Sequence, residues 1–243
     1  MFTGLVESMG TVLAVVQNTT TASSAEKAVP ATVPAEGKSL FEAQHVLTIR
    51  SDDPTYLRDA QLGDSIACDG VCLTVTALLT PPFTVGVAPE TLRKTHLGDV
   101  SASDRLNLER AAVLGTTRLG GHLVQGHVDV PIVVRDRKID PPDALLVTLA
   151  FQNPVDAAQY GRYVVPKGYV CLDGASLTVV DVDPVHHTFR VMLVAYTQAK
   201  ITLPRKPIGG RVNLEVDQVG KYVEQCVGAG SVGRDVAQSA APH

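Results

Sequence analysis

Residues 69–75 read DGVCLTV, and residues 173–179 read DGASLTV, so five of the seven positions are identical. Downstream, RLNLE at 105–109 recurs as RVNLE at 211–215. Between these blocks, three single residues recur in the same order, Thr91, Lys94 and Leu97 as Thr197, Lys200 and Leu203. Matches that keep their order at a nearly constant spacing indicate a duplicated domain.

A weaker match near the start of the chain completes the repeat. Gly4-Leu5-Val6-Glu7 resembles His122-Leu123-Val124-Gln125, at a wider spacing that predicts extra residues in the first copy. Residues 18–39 supply them, because this Thr-, Ala-, Ser- and Pro-rich stretch has no periodicity and is typical of a mobile surface insert. We therefore predict two copies, 1–117 and 118–217, followed by a C-terminal segment, 218–243.

Within each copy the local signals are those of β-structure. Asp69-Gly70 and Asp173-Gly174 are two-residue turn signals, each flanked by β-rich segments. Other β-type runs are separated by Pro, Gly and Asp, namely FTVGV at 83–87, ALLVTLAF at 144–151 and TFRVMLVAY at 188–196. The pattern favours antiparallel barrels over a βαβ fold. We predict one helix, at about 217–227, with Val219, Val223 and Val227 on one face, and a frayed glycine-rich tail after it.

The two predicted hairpins place small polar side chains on one face. Because a two-residue turn sets residue 67 opposite 72 and residue 65 opposite 74, alternate side chains share a face. In the first copy these are Ser65, Ala67, Cys72 and Thr74, and in the second Tyr169, Cys171, Ser176 and Thr178. A solvent-facing strand would carry similar residues, but their recurrence in both copies favours a ligand-facing wall.

GGHLVQGHVD contains two histidines, His122 and His127, whose spacing aligns them on neither a helix face nor a strand face. Zinc binding is disfavoured, because no Cys or acidic residue stands at zinc spacing. A structural histidine is the simpler interpretation, and a proton-transfer group is the alternative. His186-His187, close to Pro184, is predicted to lie in a surface turn.

Composition excludes several classes of protein. The 243 residues carry 21 Lys and Arg against 25 Asp and Glu, a net charge of −4 without a basic cluster, which argues against a nucleic-acid partner. No apolar run is long enough for a membrane helix, and the N-terminus lacks the features of a secretory signal. The four cysteines fit no structural-zinc spacing, so we predict reduced thiols in a cytoplasmic protein.

Taken together, the motifs resemble those of the riboflavin synthase family. The resemblance spans both halves, leaving out the 18–39 insert and the tail. It is carried by MFTGLVE at the start, GDSIACDGVCLTV, ETLRKTHLGD, RLNLERA, GGHLVQGHVD, KGYVCLDGASLTV and RVNLEVDQVGKYVE. Any one of these motifs alone would be weak, whereas their combination is specific.

The resemblance implies an all-β fold of two tandem six-stranded antiparallel Greek-key barrels and a C-terminal helix that joins three protomers. It implies a transferase without metal or organic cofactor. Two molecules of 6,7-dimethyl-8-ribityllumazine exchange a four-carbon unit, giving riboflavin and 5-amino-6-ribitylaminouracil. Each barrel would bind one lumazine, and the active site would form between the N-terminal barrel of one subunit and the C-terminal barrel of its neighbour.

The resemblance also assigns site residues. Those implicated in catalysis are Phe2, Ser65, Cys72, His127, Ser176 and Thr178. The N-terminal pocket is expected to contain Gly4, Leu5, Val6, Cys72, Leu73 and Thr74, and the strand Gly86, Val87, Ala88, Pro89, Glu90 and Thr91. The C-terminal pocket is expected to contain Gly126, His127, Val128, Lys167, Ser176, Leu177 and Thr178, and the strand Met192, Leu193, Val194, Ala195, Tyr196 and Thr197.

One departure from the family pattern concerns the second copy. Tyr196 stands where the first copy has Glu90, so the polar contacts of the C-terminal pocket are expected to be weaker there. Two rival interpretations remain, a non-catalytic lumazine- or flavin-binding antenna protein of the same fold, and a purely structural double barrel. The presence of Ser65, Cys72, His127, Ser176 and Thr178 argues against the first. The repetition of the polar faces argues against the second, because a structural role does not require it.

Overall fold

The computed structural model describes residues 1–17, 45–79 and 81–227, which form two closed six-stranded antiparallel barrels. The first barrel contains β1 (Ser8–Gln17), β2 (His45–Ser51), β3 (Ser65–Cys68), β4 (Val71–Leu78), β5 (Phe83–Val87) and β6 (Arg105–Arg110). The second contains β7 (Val130–Asp140), β8 (Ala144–Ala150), β9 (Tyr169–Leu172), β10 (Ala175–Asp183), β11 (Thr188–Leu193) and β12 (Arg211–Val216). The predicted 18–39 insert and the tail after 227 lie outside the described residues.

Both barrels have the same strand order. In the first it is β1-β2-β5-β4-β3-β6, and the second repeats it from β7 to β12. The second strand of each copy pairs with the fifth rather than the third, a connection typical of a Greek key. The predicted fold class of two tandem barrels is confirmed.

Alternation along the strands separates the barrel cores from their outer faces. Phe83 and Val85 on β5, and Phe189 and Val191 on β11, are fully buried inside their barrels. A third, smaller cluster lies between the barrels and is made of Phe2, Ala67, Val124 and Cys171, with Cys72 packed against it. The hairpin residues outside the cores therefore face either the other barrel or solvent.

The helices differ from the prediction of a single one. A helix does cover 218–227, but three short helices precede it, α1 (Pro89–Lys94), α2 (Pro154–Tyr160) and α3 (Ala195–Lys200). The predicted strand through 86–91 ends at Val87, and the one through 188–196 ends at Leu193. Two sequence signals favour these helices, proline at the start of α1 and α2 and the Asn153 cap of α2.

The longest described helix is the one at 218–227, and none of the described helices is both long and apolar enough to cross a lipid bilayer.

The repeat begins at a different position from the one predicted. The segment 3–7 is matched by 125–129 rather than by 122–125, because Gly4 and Gly126 share a positive φ, +74° and +80°. The strands β1 and β7 then start at equivalent points, Ser8 and Val130. The match of Gly4-Leu5-Val6-Glu7 with His122-Leu123-Val124-Gln125 was therefore wrong.

Four ionisable side chains meet where the two hairpin turns touch. Asp69 and Asp173 are fully buried, and His96 Nε2 lies 2.9 Å from Asp69 Oδ2 and 3.2 Å from Asp173 Oδ1. Lys206 Nζ lies 2.8 Å from Asp173 Oδ2. Two carboxylates are thus matched by two cationic groups, and the group joins one barrel to the other. We call these four residues the central charge cluster.

The charges of the central charge cluster set its pKa values. Burial alone would lower the pKa of His96, but the carboxylates of Asp173 and Asp69 outweigh it and raise that pKa to about 9. Burial and the neighbouring Asp173 raise the pKa of Asp69, whereas Lys206 and His96 overcome burial and lower that of Asp173. Asp69, His96 and Asp173 could hold a metal ion, but the Lys206 ammonium already supplies the positive charge beside them.

Replacing His96 by Gln is expected to remove a pH dependence of stability. Because the folded pKa, about 9, exceeds the unfolded value, 6.5, the His96 charge stabilises the fold fully below pH 6.5. This contribution, roughly 3 kcal/mol, is lost as the pH rises through 9. Urea unfolding of both proteins should show the wild-type advantage shrinking between pH 6.5 and 10. An advantage that stays constant across that range would contradict this assignment.

Candidate active site

The outer faces of the two hairpins carry the polar side chains that the sequence predicted. Ser65 pairs with Thr74, and Ala67 with Cys72, across β3 and β4. In the second barrel Tyr169 pairs with Thr178, and Cys171 with Ser176. Asp69 and Asp173 have positive φ, as do the glycines that follow them, which is the geometry of the predicted two-residue turns. The predicted register is confirmed in both copies.

Two extended segments cross each other beside these hairpins. We call residues 2–7 the first arm and residues 124–129 the second arm. Phe2 and Val124 form an antiparallel bridge, with N···O distances of 2.7 and 3.1 Å, and both side chains are fully buried. Each arm thereby passes from its own barrel to the hairpin of the other.

Each arm contacts the hairpin of the opposite barrel through a glycine. The Ser176 N–H donates to the Gly4 carbonyl oxygen and the Cys72 N–H to that of Gly126, both at 2.8 Å. A Cβ atom on Gly4 would lie 2.5 Å from the Cβ of Ser176, and one on Gly126 would lie 2.7 Å from that of Cys72. Only glycine allows this approach, and it also accepts the positive φ found at both positions.

This crossing corrects the predicted grouping of the two pockets. The first arm, with Gly4, lies against Ser176 of the C-terminal barrel rather than against Cys72. The second arm, with Gly126, lies against Cys72 of the N-terminal barrel rather than against Ser176. Each hairpin face is therefore completed by the arm of the other repeat.

Two buried carboxylates hold the arms in place. Glu109 accepts hydrogen bonds from the N–H groups of Thr3 and Gly4, at 2.6 and 3.0 Å. Glu215 accepts them from the N–H groups of the second arm at Gln125, Gly126 and His127, at 2.7 to 2.9 Å. Burial raises the pKa of Glu109 to about 6 and also raises that of Glu215, while these N–H groups act in the opposite direction.

Substitution of Gly126 by Ala is expected to disrupt the contact between the second arm and Cys72. Gly209 provides a matched control, because its φ is also +80° but no atom lies within 4 Å of its would-be Cβ. Both variants incur the cost of a positive φ, about 1–2 kcal/mol. Gly126→Ala should lose roughly 1–3 kcal/mol more, because of the added clash. Equal losses of unfolding free energy in the two variants would show that the close approach is unimportant.

Several predicted pocket residues have side chains that point into the barrels. Leu73, Val87, Leu177 and Leu193 are buried in the two cores, so any ligand contact at these positions is through the backbone. The residues predicted as strands at 88–91 and 194–197 instead form the caps and first turns of α1 and α3. The first N–H groups of each helix have no partner within that helix.

Glu90 and Tyr196, which occupy equivalent positions in the two copies, make different contacts. Glu90 accepts hydrogen bonds from Arg93, whereas Tyr196 is 75% exposed and has the Lys200 ammonium 5.7 Å from its ring centroid. The two helix starts therefore present different chemistry, a salt bridge in the first barrel and an exposed aromatic ring in the second.

The other predicted site residues on the two arms, and Lys167, are exposed or half-buried. His127 has an exposed ring whose Nδ1 is 3.2 Å from Gln125 Oε1. Leu5, which stands at the equivalent point of the first arm, is 46% exposed, and Lys167 is an exposed residue with a positive φ, +68°. Val6 and Val128 are half-buried against the barrel cores.

His122 is closer to the hairpin chemistry than the sequence indicated. It is buried, and its Nδ1 lies 2.6 Å from Ser176 Oγ. Its ring stacks on that of Tyr169 with 5.1 Å between centroids. The two glycines before His122, which permit close packing, were the signal available in the sequence.

Comparison with known proteins agrees with this architecture. The model of the lumazine binding domain matches residues 3–111 and 125–217, one match per barrel. The chain is 43% identical to the riboflavin synthase of Meyerozyma guilliermondii, covering 93% of this chain and 85% of that protein. It is 42% identical to the riboflavin synthase of Schizosaccharomyces pombe, covering 94% and 95%.

Solved structures share the fold. LumP complexed with riboflavin superposes with a TM-score of 0.70 at 15% identity, over 90% of this chain and all of that one. LumP complexed with 6,7-dimethyl-8-(1'-D-ribityl) lumazine gives a TM-score of 0.68 at 14% identity, with the same coverage. From its duplicated domains and its full-length relatives, the chain belongs to the riboflavin synthase family.

Proposed function

We propose that this chain catalyses the riboflavin synthase reaction with one lumazine site on each barrel. Two molecules of 6,7-dimethyl-8-ribityllumazine react, a four-carbon unit passes from one to the other, and riboflavin and 5-amino-6-ribitylaminouracil are released. The reciprocal crossing of the arms carries the proposal, because it gives one chain two similar sites for two identical substrates. The two units are taken as 1–117 and 118–217.

Each site combines one hairpin, one arm and one helix start. In the N-terminal site Cys72 contacts Gly126 of the second arm, and Ser65 and Thr74 form a cross-strand pair on the same hairpin, which is followed by the segment 86–91. In the C-terminal site Ser176 contacts Gly4 of the first arm, and Thr178 lies two residues further along the same strand, with the segment 192–197 following. Phe2 contributes indirectly, since its ring is buried where the arms cross.

The chemistry begins with loss of a proton from the C7 methyl group of one lumazine, whose negative charge then spreads into the ring. The hydroxyls of Ser176 and Thr178 hydrogen-bond this lumazine, and His127 assists proton transfer. At the other site Cys72 adds to the partner lumazine as a transient nucleophile, or Ser65 activates water there. A thiol suits the first role, because a few per cent of thiolate already reacts well.

Orientation contributes more than any single side chain. Effective molarities of well-placed reactants reach about 10⁵–10⁸ M, whereas one general base supplies about 10²–10⁴-fold. The rigid contacts of Gly4 and Gly126 with the hairpins therefore matter as much as the reactive groups themselves.

We propose that the full protein is a homotrimer joined through the helix at 218–227. Support comes from apolar side chains on that helix that the described residues leave more than half exposed, Val219, Val223 and Val227. Exposed apolar residues at the sites themselves, Leu5, Val194 and Tyr196, suit a face that a neighbouring subunit covers. Sedimentation equilibrium should give three chain masses, and a monomeric mass would contradict the assembly.

We propose that the protein is cytoplasmic. The four cysteines are free thiols, and Cys226 is exposed, which suits a reducing compartment. Fractionation of the source cells tests this placement.

The function is tested by incubating the purified protein with lumazine alone, without added metal or nucleotide. We expect a continuous rise of riboflavin absorbance, with one riboflavin formed for every two lumazines consumed. A stable fluorescent complex without turnover would instead identify a lumazine-binding antenna protein.

A further inference from the structure

The buried histidine beside the C-terminal site has a geometry that a merely structural residue does not need. His122 Nδ1 lies 2.6 Å from Ser176 Oγ, a short hydrogen bond. Ser176 is the residue whose backbone N–H is held by Gly4, so its main chain cannot shift away from this contact. The imidazole is therefore paired with a hydroxyl that faces the proposed site.

The backbone that carries His122 is equally restrained. The His122 N–H donates to the Thr3 carbonyl oxygen at 3.2 Å. A Cβ atom on Gly121 would lie 2.3 Å from that same oxygen and 2.8 Å from Ser176 Oγ. The segment thus packs directly on the Ser176 side chain, and a glycine is required for it to do so.

The ring of His122 is held on its flat face, and its second nitrogen, Nε2, is buried without a hydrogen-bond partner among the described residues. The ring stacks on Tyr169 at an interplanar angle of 11°. With its hydrogen on Nε2, the neutral ring leaves Nδ1 free to accept the Ser176 hydroxyl hydrogen. Burial lowers the pKa of His122, partly opposed by the charge of Asp217, so the neutral form prevails at pH 7.

The equivalent position in the N-terminal barrel has different chemistry. Cys72 occupies the same register as Ser176 and receives the same backbone contact from the opposite arm. A thiol is intrinsically a strong nucleophile, whereas a serine hydroxyl needs an adjacent base to be activated. Of Cys72 and Ser176, it is the serine, which needs a base, that has the His122 imidazole beside it.

We propose that His122 is a positioning residue that orients Ser176 and takes up its hydroxyl proton during deprotonation of the lumazine in the C-terminal site. This rests on the proposed function. In the step, the C–H bond of the C7 methyl group breaks and its proton passes to Ser176 Oγ. The Oγ–H proton moves to His122 Nδ1, and the electron pair of the broken bond enters the pteridine ring. The imidazolium later returns the proton through Ser176 to an intermediate.

The test compares His122→Asn, Ser176→Ala and the double variant in the full-length protein. We expect His122→Asn to lower kcat by about 10²–10³-fold with KM nearly unchanged. In the double variant kcat should stay within about twofold of Ser176→Ala, since residues that act as a unit are not additive. Because burial lowers the pKa of His122 below its ordinary value, the wild-type kcat should fall only at a more acidic pH than a free histidine would give, and this limb should be absent in both single variants.

His187→Asn is the matched control. His187 lies in a turn with a φ of +55°, a conformation that Asn accepts, so its kcat and pH profile should equal those of the wild type. If His122→Asn fails to fold, as judged by its melting curve, Ser176→Ala decides alone, because it removes the hydroxyl and leaves the imidazole in place.

Additive losses in the double variant, or an acidic limb that persists in Ser176→Ala, would overturn the role of His122 while the wild-type enzyme still forms riboflavin. Absence of riboflavin formation by the wild type would instead reject the proposed function.

Discussion

Chains carrying Cys72→Ala and chains carrying Ser176→Ala are each expected to lose riboflavin formation by about 10²–10⁴-fold, and to regain much of it when mixed. Each variant damages the site on one barrel and leaves the other intact. If the reacting pair forms between the N-terminal barrel of one subunit and the C-terminal barrel of its neighbour, a mixed oligomer contains an intact Ser176 facing an intact Cys72.

The measurement is the steady-state rate of riboflavin formation after the two variants are unfolded and refolded together. Mixing Cys72→Ala with the double variant Cys72→Ala/Ser176→Ala is the control, because no combination of those subunits restores Cys72. A rate in the first mixture no higher than in the separate variants would contradict a site shared between subunits.

Replacing Lys206 by Met is expected to lower the free energy of unfolding by about 3–5 kcal/mol. The side chain of Lys206 is 15% exposed and lies 2.8 Å from the buried carboxylate of Asp173. Its removal leaves two buried carboxylates with the single positive charge of His96. An unpaired charge in a buried site costs several kcal/mol, since neither water nor a counter-ion replaces the lost partner.

A second substitution distinguishes charge from packing. Adding Asp173→Asn to Lys206→Met removes one negative charge and so restores the charge balance. In the wild type Asp173 Oδ1 accepts a hydrogen bond from the Asn213 N–H, and the amide oxygen of the new Asn can accept the same bond. The double variant should therefore be more stable than Lys206→Met alone. The exposed Lys138→Met should change stability by less than about 0.5 kcal/mol. A double variant as unstable as the single one would show that the lysine acts through packing.

The hairpins were predictable because their geometry is local. A two-residue Asp-Gly turn sets the register of its strands, so the placement of Cys72 and Ser176 on the outer faces followed from counting. Duplication then doubled the signal, since both copies carry the same turn. The pair of barrels, in contrast, was inferred from the family resemblance together with that repeat.

The arms were harder to predict because their contacts join residues far apart in the sequence. Gly4 meets Ser176, and Gly126 meets Cys72, only once both barrels are assembled. The pattern Gly-x-Val-acid, at 4–7 and 126–129, was visible in the sequence. The match with 122–125 rests on Leu-Val, which occurs in both places, and it hides this pattern. The grouping of the arms with the pockets came from the family resemblance and not from this match, and the crossing of the arms corrects it.

The central charge cluster shows a further limit of sequence reasoning. Asp69 and Asp173 were identified as turn residues, which they are, but their carboxylates also face each other across the two barrels. Lys206 and His96, which balance them, have no counterparts in the repeat, with Val100 and Thr202 at the equivalent positions. The internal repeat therefore does not predict that His96 and Lys206 pair with the two buried aspartates.

The number of ligand molecules bound per chain tests the central claim most directly. Equilibrium titration with a lumazine analogue that cannot react should give two bound molecules per chain, one per barrel. It should give one per chain in Gly4→Ala, because the added Cβ would lie 2.5 Å from that of Ser176 and would disrupt the C-terminal site. A single bound molecule per wild-type chain would contradict two working sites, and with them the proposed pairing of twin substrates.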